Sequence, residues 1–317
     1  MLGILTVLMC MLYGAGLTIG LIGLFFLFRF HAQKRPLLRQ DRLYPKVSIL
    51  KCCRGAQDNE AENFRVFFQQ DYPGPWELVF IVDEDCDPIC PIIHNLQAEF
   101  PHVRCQRVIP PPRPPNFVPK VHALRAGHEA SFGDIIIWSD SDVIVKTTYL
   151  SEMVASLEEP GVSLVTSPQF DARANNFGSA YKVLGNNADV ITFVMSYDGL
   201  VRPKKVALGH SLGFWKKEFE SLHPQPWAFL GRFFADDLGL PKLFIQKNKK
   251  IVFRNIYCPV ETSDKTLGEM IRQKKRWVLC QRYVVGNRWI YLSGMLFYPQ
   301  IAALLLVLLT AGSRGAG

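Results

Sequence analysis

The strongest chemical signal in the sequence follows an apolar run. Residues 135–138 are uniformly apolar, and Asp140 and Asp142 come directly after them, one residue apart. A buried charge is costly unless a positive group meets it, and ligands of parallel α/β sheets bind at the carboxyl ends of the strands. Asp140 and Asp142 therefore predict an oxygen-ligand site for Mg²⁺ or Mn²⁺, completed by water and a substrate diphosphate. A turn with two solvated acids is the alternative.

A second acidic segment and a single lysine extend this prediction. The apolar run 78–82 is followed by four acids, namely Asp83, Glu84, Asp85 and Asp87. If both acidic segments lie at strand ends of one sheet, several carboxylates surround the same crevice. Lys120 follows the proline-rich segment 110–115 and is a candidate phosphate contact, with an ordinary surface lysine as the alternative.

Two further groups lie later in the chain. Asp236 and Asp237 follow an aromatic pair, and one of them could accept a proton from an attacking hydroxyl or simply cap the next helix. Gln273, Arg276 and Trp277 combine an amide, a cation and an indole. An arginine beside a tryptophan can clamp a leaving diphosphate and wall an acceptor pocket. A basic flank of a membrane segment is the plainer interpretation.

These residues need an α/β framework, which the central part of the sequence predicts. Short apolar runs, the expected strands, are Val47 to Leu50, Glu77 to Val82, Val103 to Val108, Ile135 to Trp138 and Ser163 to Val165. The stretches with helical periodicity are Glu60 to Gln69, Ile92 to Phe100, Val121 to Ser131 and Thr148 to Leu157. Such alternation predicts a largely parallel sheet with helices between its strands.

Both ends of the chain carry apolar segments. The run from Leu2 to Phe28 has no charged side chain and exceeds the roughly 20 residues that a spanning helix needs, which predicts a transmembrane anchor over 1–30. Basic residues flank this run, namely Arg29, Lys34, Arg35, Arg39, Arg42 and Lys46. Because basic flanks stay cytoplasmic, residues 46–288 are expected to form a cytosolic domain. Residues 289–313 are uncharged and predict a second transmembrane or membrane-embedded helix.

The amino-acid composition excludes some functional classes but does not identify one. The chain has 317 residues, 49% of them hydrophobic, and a net charge of +8, which suits phosphate-bearing partners or anionic membranes. A nucleic-acid partner is not expected, because the basic residues lie beside membrane segments rather than along a groove interleaved with aromatics. The eight cysteines have neither a disulfide framework spacing nor a C-x-x-C zinc spacing.

Taken in order, these segments resemble the inverting family-2-type glycosyltransferases, and most closely the ceramide glucosyltransferase family, over nearly the whole chain. The matching residues are Val47 to Lys51 with Arg54 and Gly55, Asp71 to Pro73, Asp87, Pro119 with Lys120, Asp140, Gly209 to Leu212, Asp237, and Gln273, Arg276 and Trp277. The combination is specific, whereas each part alone is not. Departures are Cys52-Cys53 in place of a proline-containing turn, Asp236 in place of a glutamate, and a short C-terminal membrane part.

The resemblance implies a GT-A-type nucleotide-diphosphosugar transferase domain flanked by transmembrane helices. Asp87 would hold the uridine half of the donor, and Lys120 and Asp140 the rest of the nucleotide sugar. Asp140 and Asp142 would bind the metal, Mn²⁺ or Mg²⁺. Asp237 would be the catalytic base, with Gln273, Arg276 and Trp277 at the diphosphate and acceptor.

The expected function is transfer of glucose from UDP-glucose to a ceramide-like hydroxyl at the cytosolic face of a membrane. A hopanoid or another membrane lipid is an alternative acceptor. A catalytically silent scaffold that binds sugar nucleotides is the alternative from another class, but it would need none of Asp140, Asp142 and Asp237. A processive polysaccharide synthase would need a bundle of helices to conduct its polymer, and two spans cannot form that channel.

Overall fold

The computed structural model of the protein describes residues 2–40, 43–56, 59–200, 207–233, 236–262, 264, 266–273 and 275–276. The chain divides into two compact units. The first, called the sheet unit here, comprises the described residues of 33–173 and 207–262. The second, the helical unit, comprises those of 2–32, of 174–200 and from 264 onward.

The strands and helices alternate along the chain, as in α/β proteins. The strands are β1 Val47–Cys53, β2 Trp76–Val82, β3 Arg104–Val108, β4 Ile135–Asp140, β5 Val162–Thr166, β6 Asp171–Ala172, β7 Ser211–Trp215, β8 Lys250–Phe253 and β9 Val260–Glu261. The helices are α1 Leu2–His31, α2 Glu60–Phe68, α3 Ile89–Glu99, α4 Pro119–Ala130, α5 Tyr149–Leu157, α6 Phe177–Leu184, α7 Ile191–Leu200, α8 Lys216–Ser221, α9 Pro226–Leu230 and α10 Asp236–Gln246. A π-helical turn, Gly185–Val190, joins α6 to α7.

A central sheet with strand order β3-β2-β1-β4-β7-β5-β8 organises the sheet unit. Strands β1 to β4 are mutually parallel, and β7 inserts antiparallel between β4 and β5. A separate parallel pair joins β6 to β9. Because β1 lies between β2 and β4, the carboxyl ends of these three strands form one edge of the sheet.

Both faces of the inner strands β1, β2, β4 and β5 are buried, which explains their mainly apolar sequences, whereas the edge strand β3 is partly exposed. In β4, Ile135 and Ile137 pack into a core with helices α2, α3 and α5. Ile136 and Trp138 point to the opposite face and pack with residues of α4, α8 and α10. Successive residues of a strand alternate between faces, so each strand contributes to both cores.

The helical unit contains the predicted N-terminal anchor. Among the described residues, one helix is long and apolar enough to cross a membrane, with a mean hydropathy of 2.0 over Thr6–His31 in α1. Helix α7 packs against α1. Residues 267–273 are helical. The predicted second membrane segment, 289–313, lies outside the described residues.

The predicted α/β class with a mostly parallel sheet is confirmed. The five expected strands correspond to β1 to β5 and the four expected helices to α2 to α5, with differences at their ends. The antiparallel strand β7 was not predicted. Within the matched stretch Gly209 to Leu212, the first two residues form a turn and the last two begin β7.

Candidate active site

The end of β4 holds the first predicted acid. The backbone N–H of Asp140 donates to the His210 carbonyl at 3.0 Å, which ties the strand end to the segment that enters β7. Its carboxylate forms an ion pair with Lys120, with 2.7 Å between Nζ and Oδ1. Lys120 lies in the first turn of α4, whose Pro119 is preorganised to begin a helix. The structure thus brings together two residues that the sequence separates widely.

A buried lysine lies beneath the same turn. The Lys51 side chain is fully buried in β1, and its ammonium donates to Ser139 Oγ at 3.1 Å and to the Asp140 carbonyl at 2.7 Å. It also faces the Phe67 ring at 3.8 Å from the centroid. Burial lowers the pKa of Lys51 to about 8, and nearby acids, Asp140 among them, oppose that decrease. The buried Lys51 side chain therefore holds the end of β4 through hydrogen bonds to Ser139 and to the Asp140 backbone.

Asp87, just after β2, accepts hydrogen bonds from the backbone of two segments. Its carboxylate accepts hydrogen bonds from the backbone N–H of Gly55, at 2.9 and 3.0 Å, and of Ile89, at 3.0 Å. Gly55 has φ of +70°, a conformation that a side chain disfavours. Asp87 itself is buried. These bonds fix the loop after β1 beside the loop after β2, which is the position predicted for a donor-binding acid.

Asp142 is braced by β9. Its carbonyl accepts from the Glu261 N–H at 2.7 Å, and the Ile144 N–H donates to Pro259 at 2.8 Å. The Glu261 carboxylate in turn accepts from Asn59 at 3.0 Å and from Asn63. The turn that carries Asp142 is therefore held by the segment of β9, and the start of α2 in turn fixes the Glu261 side chain.

His210 lies behind Asp140 and is buried. Burial lowers its pKa to about 4, although the Asp140 carboxylate works in the other direction. The ring is therefore neutral at physiological pH. Its Nε2 lies 3.5 Å from the buried Cys258 Sγ. A neutral ring adds no positive charge to the site.

The other acids of the second segment do not join the site in the same way. Asp83 pairs with Arg54 at 3.7 Å, and Asp85 pairs with Arg107 at 2.5 Å. All four side chains are exposed. This part of the predicted acidic cluster is a solvated loop, and Asp87 alone is built into the framework.

The remaining predicted residues are placed only in part. Asp236 begins α10 and Asp237 follows it in the first turn, but their side chains lie outside the described part of the chain. Gln273 and Arg276 belong to the helical unit, and Arg276 is exposed. Trp277 lies outside the described residues. The contacts described here bring together Lys120 and Asp140, with Asp142 on the same turn and Asp87 on the same sheet edge.

Sequence reasoning missed Lys51, His210 and Glu261. Lys51 left a detectable signal, because a lone lysine inside an apolar strand must find partners for its charge. His210 and Glu261 left none, since their contacts join segments far apart in the sequence.

The residues at the end of β4 suit a divalent cation by type. Two carboxylates one residue apart are hard oxygen donors of the kind that Mn²⁺ and Mg²⁺ prefer. The Asp140 carboxylate already holds a cation, the Lys120 ammonium, and about a third of each side chain is exposed. By residue type, Asp140 and Asp142 thus offer oxygen donors that a divalent cation accepts.

Comparison with known proteins adds independent information. A family model described as "Glycosyl transferase family 21" matches residues 8–316. The chain is 22% identical over 146 residues to ceramide glucosyltransferase 3 of Caenorhabditis elegans, and this alignment covers 46% of the chain and 31% of that relative. The mannosyltransferase PcManGT from Pyrobaculum calidifontis, solved in complex with GDP-Man and Mn²⁺, has a TM-score of 0.67 at 16% identity. That superposition covers 100% of this chain and 88% of the other, and it supports a common fold.

Proposed function

The chain belongs to glycosyl transferase family 21, and from that premise we propose that it transfers glucose from UDP-glucose to the hydroxyl of a ceramide-like membrane lipid. Its family and its GT-A fold make it a glycosyltransferase of the hexosyltransferase type. The donor sugar and the lipid acceptor are the proposed part. The match to part of a ceramide glucosyltransferase supports a ceramide-like acceptor.

The observation that carries the proposal is the Lys120 and Asp140 pair at the end of β4. It places an ammonium and a carboxylate together at the sheet edge where α/β proteins bind nucleotides. Lys120 would contact a donor phosphate, and Asp87 the uridine. The mannosyltransferase of the same fold was solved with a sugar nucleotide and Mn²⁺, which favours the same classes of ligand here.

The proposed reaction is a direct displacement that inverts the anomeric carbon. The acceptor oxygen forms a bond to that carbon while the bond to the diphosphate oxygen breaks. Asp237 takes the proton of the attacking hydroxyl, and Gln273, Arg276 and Trp277 serve the departing diphosphate and the acceptor. A divalent cation held by Asp140 and Asp142 would supply positive charge against the charge that develops on the diphosphate.

We also propose how the chain sits in its membrane. Residues 1–30 anchor it, residues 289–313 add a second membrane segment, and the transferase region within 46–288 faces the cytosol. The basic flank of α1, which includes Arg29, Lys34 and Arg35, supports this orientation. Protease added to sealed right-side-out vesicles should spare the transferase region. Cleavage there without detergent would contradict the orientation.

The activity is tested with the full chain reconstituted in lipid. Membranes receive labelled UDP-glucose, UDP-galactose or GDP-mannose, with ceramide, a hopanoid or diacylglycerol as the acceptor, and extracted lipids are identified by mass. Glucosylceramide formed with Mn²⁺ and lost with a chelator is the expected result.

Matched variants connect this activity to the site. Asp140→Asn should abolish transfer, whereas Asp134→Asn, at the opposite end of the same strand, should not. Transfer to another lipid instead of ceramide would mean that the proposed acceptor is wrong. Donor binding without any transfer or hydrolysis would favour the silent scaffold.

A further inference from the structure

The segment 177–200 of the helical unit has an unusual distribution of side chains. Helix α6, the π-helical turn and α7 follow one another without a break. Among the described side chains of this segment, the exposed ones are all apolar, namely Phe177, Ala180, Leu184 and Leu200. Phe177, Leu184 and Leu200 are 76%, 62% and 63% exposed. The first three exposed positions lie on one helical stripe.

Four polar side chains of the same segment point inward, and three others, Tyr181, Asn187 and Asp198, are half-buried. Ser179, Lys182, Asn186 and Ser196 are all buried. A helix on the surface of a water-soluble protein does the opposite, because it buries its apolar face and exposes its polar one. Helices in a bilayer turn polar and ionisable side chains toward the protein interior. The pattern of segment 177–200 is therefore that of a lipid-facing helix.

Its packing partner supports the same environment. Helix α7 packs on α1, the apolar helix long enough to span a membrane. The contact is close, since a Cβ added to Gly199 would lie 2.4 Å from the Phe26 ring. Phe26 precedes the basic end of α1 at Arg29 by less than one helical turn, or about 4.5 Å of helix rise. A helix that touches α1 at this level lies at the depth of the membrane boundary.

Helix α1 itself has one protein-facing seam and an apolar remainder. Gly16, Gly23 and Phe30 are buried at heptad spacing, which is typical of a face that packs on other helices. Leu17, Leu21, Leu24 and Phe28 are exposed on the other sides. Segment 177–200 and α1 thus both expose apolar side chains within the same unit.

We infer that segment 177–200 is embedded in the membrane boundary beside α1, with Phe177, Leu184 and Leu200 in contact with lipid. The inference rests on the proposed function in one respect, the membrane anchoring of α1. It adds a lipid-binding surface in the middle of the chain, between strands β6 and β7 in sequence. Acyl chains are the chemistry that this surface fits, since the side chains exposed on it are apolar.

Spin-label accessibility in liposomes tests the inference on the full chain. Single cysteines replace Phe177, Leu184 or Leu200 in a background where Cys10, Cys52, Cys86, Cys105 and Cys280 are serine, and each carries a nitroxide. Collisions with oxygen, which concentrates in lipid, are compared with collisions with a water-soluble nickel chelate. We expect all three probes to favour oxygen by at least about threefold over an aqueous probe.

Two control sites make the outcomes distinguishable. Leu24 on α1 and Ile109 in the sheet unit are both 43% exposed and apolar. Leu24→Cys should report lipid, and Ile109→Cys should report water. If Leu24 reports lipid while the probes at 177, 184 and 200 match Ile109, the inference is overturned and the anchor stands. If Leu24 reports water, the proposed anchor fails and this inference fails with it.

If a cysteine variant does not fold, charge substitutions test the same inference by thermal unfolding. Leu184→Glu places a charge on the stripe, whereas Tyr257→Glu places one on a side chain of the sheet unit that is also exposed. In liposomes, Leu184→Glu should lower the unfolding temperature and Tyr257→Glu should leave it nearly unchanged. Equal tolerance of the two charges would contradict a lipid-facing Leu184.

Discussion

Replacing Lys120 by methionine should change metal binding and donor binding in opposite directions. In the absence of ligands, Lys120 neutralises Asp140 through an ion pair of 2.7 Å. The ammonium therefore competes with a divalent cation for this carboxylate. In the proposed donor complex, the same ammonium would contact a phosphate. Lys120→Met removes the competitor and the phosphate contact together.

The sizes of the two effects follow from exposure. Both partners are about a third exposed, so the ion pair contributes only about 0.5–1 kcal/mol, and its loss should tighten binding of Mn²⁺ alone by about two- to fivefold. A hydrogen bond from a charged donor contributes about 1.5–3 kcal/mol, so affinity for UDP at saturating Mn²⁺ should fall by about 10- to 150-fold. The two changes have opposite signs, which a general loss of folding cannot produce.

Calorimetric titration of the purified chain measures both constants, first with Mn²⁺ alone and then with UDP at saturating Mn²⁺. Lys249→Met is the matched control, because Lys249 pairs with Glu218 at 2.8 Å, is also partly exposed and lies in the same unit. The control should leave both affinities unchanged. Weaker binding of Mn²⁺ alone in Lys120→Met, or unchanged UDP affinity, would refute the assignment of Lys120.

Three further predictions concern the sheet unit. Asp237→Asn should bind UDP-glucose nearly normally while transfer falls by roughly 10² to 10⁴, and Asp236→Asn should be milder; a more damaging Asp236→Asn would reassign the base. Gly55→Ala, at φ +70°, should cost about 1 kcal/mol of stability and weaken UDP binding, because the N–H that holds Asp87 shifts; unchanged donor affinity by titration would argue against that contact. Burial lowers the pKa of His128, so the unfolded chain takes up a proton before the folded protein as pH falls. Stability should therefore decrease below about pH 6.5, and thermal unfolding of His128→Gln between pH 5 and 7 should show a weaker decrease.

The strands of the sheet could be predicted where both of their faces are buried. Strands β1, β2 and β4 are apolar on both faces, so their runs in the sequence are continuous and easily recognised. Strand β7 was missed because Ser211 and Gly213 interrupt its apolar pattern, and because its partners β4 and β5 precede it by many residues. Pairing across such distances leaves no local pattern in the sequence.

The candidate site divides in the same way. Asp140 and Asp142 could be predicted, since a strand end is a local feature. The contacts that hold them, from Lys51 below and Glu261 beside, join distant segments and appear only in the fold. Segment 177–200 is a different case. Its polar residues interrupt any long apolar run, so the sequence favours a soluble helix, and only the inward orientation of Lys182 and Asn186 indicates lipid.

Two lysines contact the turn at Asp140, and their environments give them different roles. Lys51 is fully buried, and the Ser139 hydroxyl, the Asp140 carbonyl and an aromatic face compensate its charge. A cation at the Asp140 carboxylate would leave the Lys51 bonds in place, because these bonds go to the Ser139 hydroxyl and to the Asp140 carbonyl. Lys120 is partly exposed and bonds the carboxylate itself, so in the proposed donor complex a divalent cation and a phosphate would replace this ion pair. The turn is therefore held by one buried lysine, Lys51, and ion-paired to one partly exposed lysine, Lys120. Such a turn stays ordered before the donor binds, and it keeps positive charge available for the diphosphate.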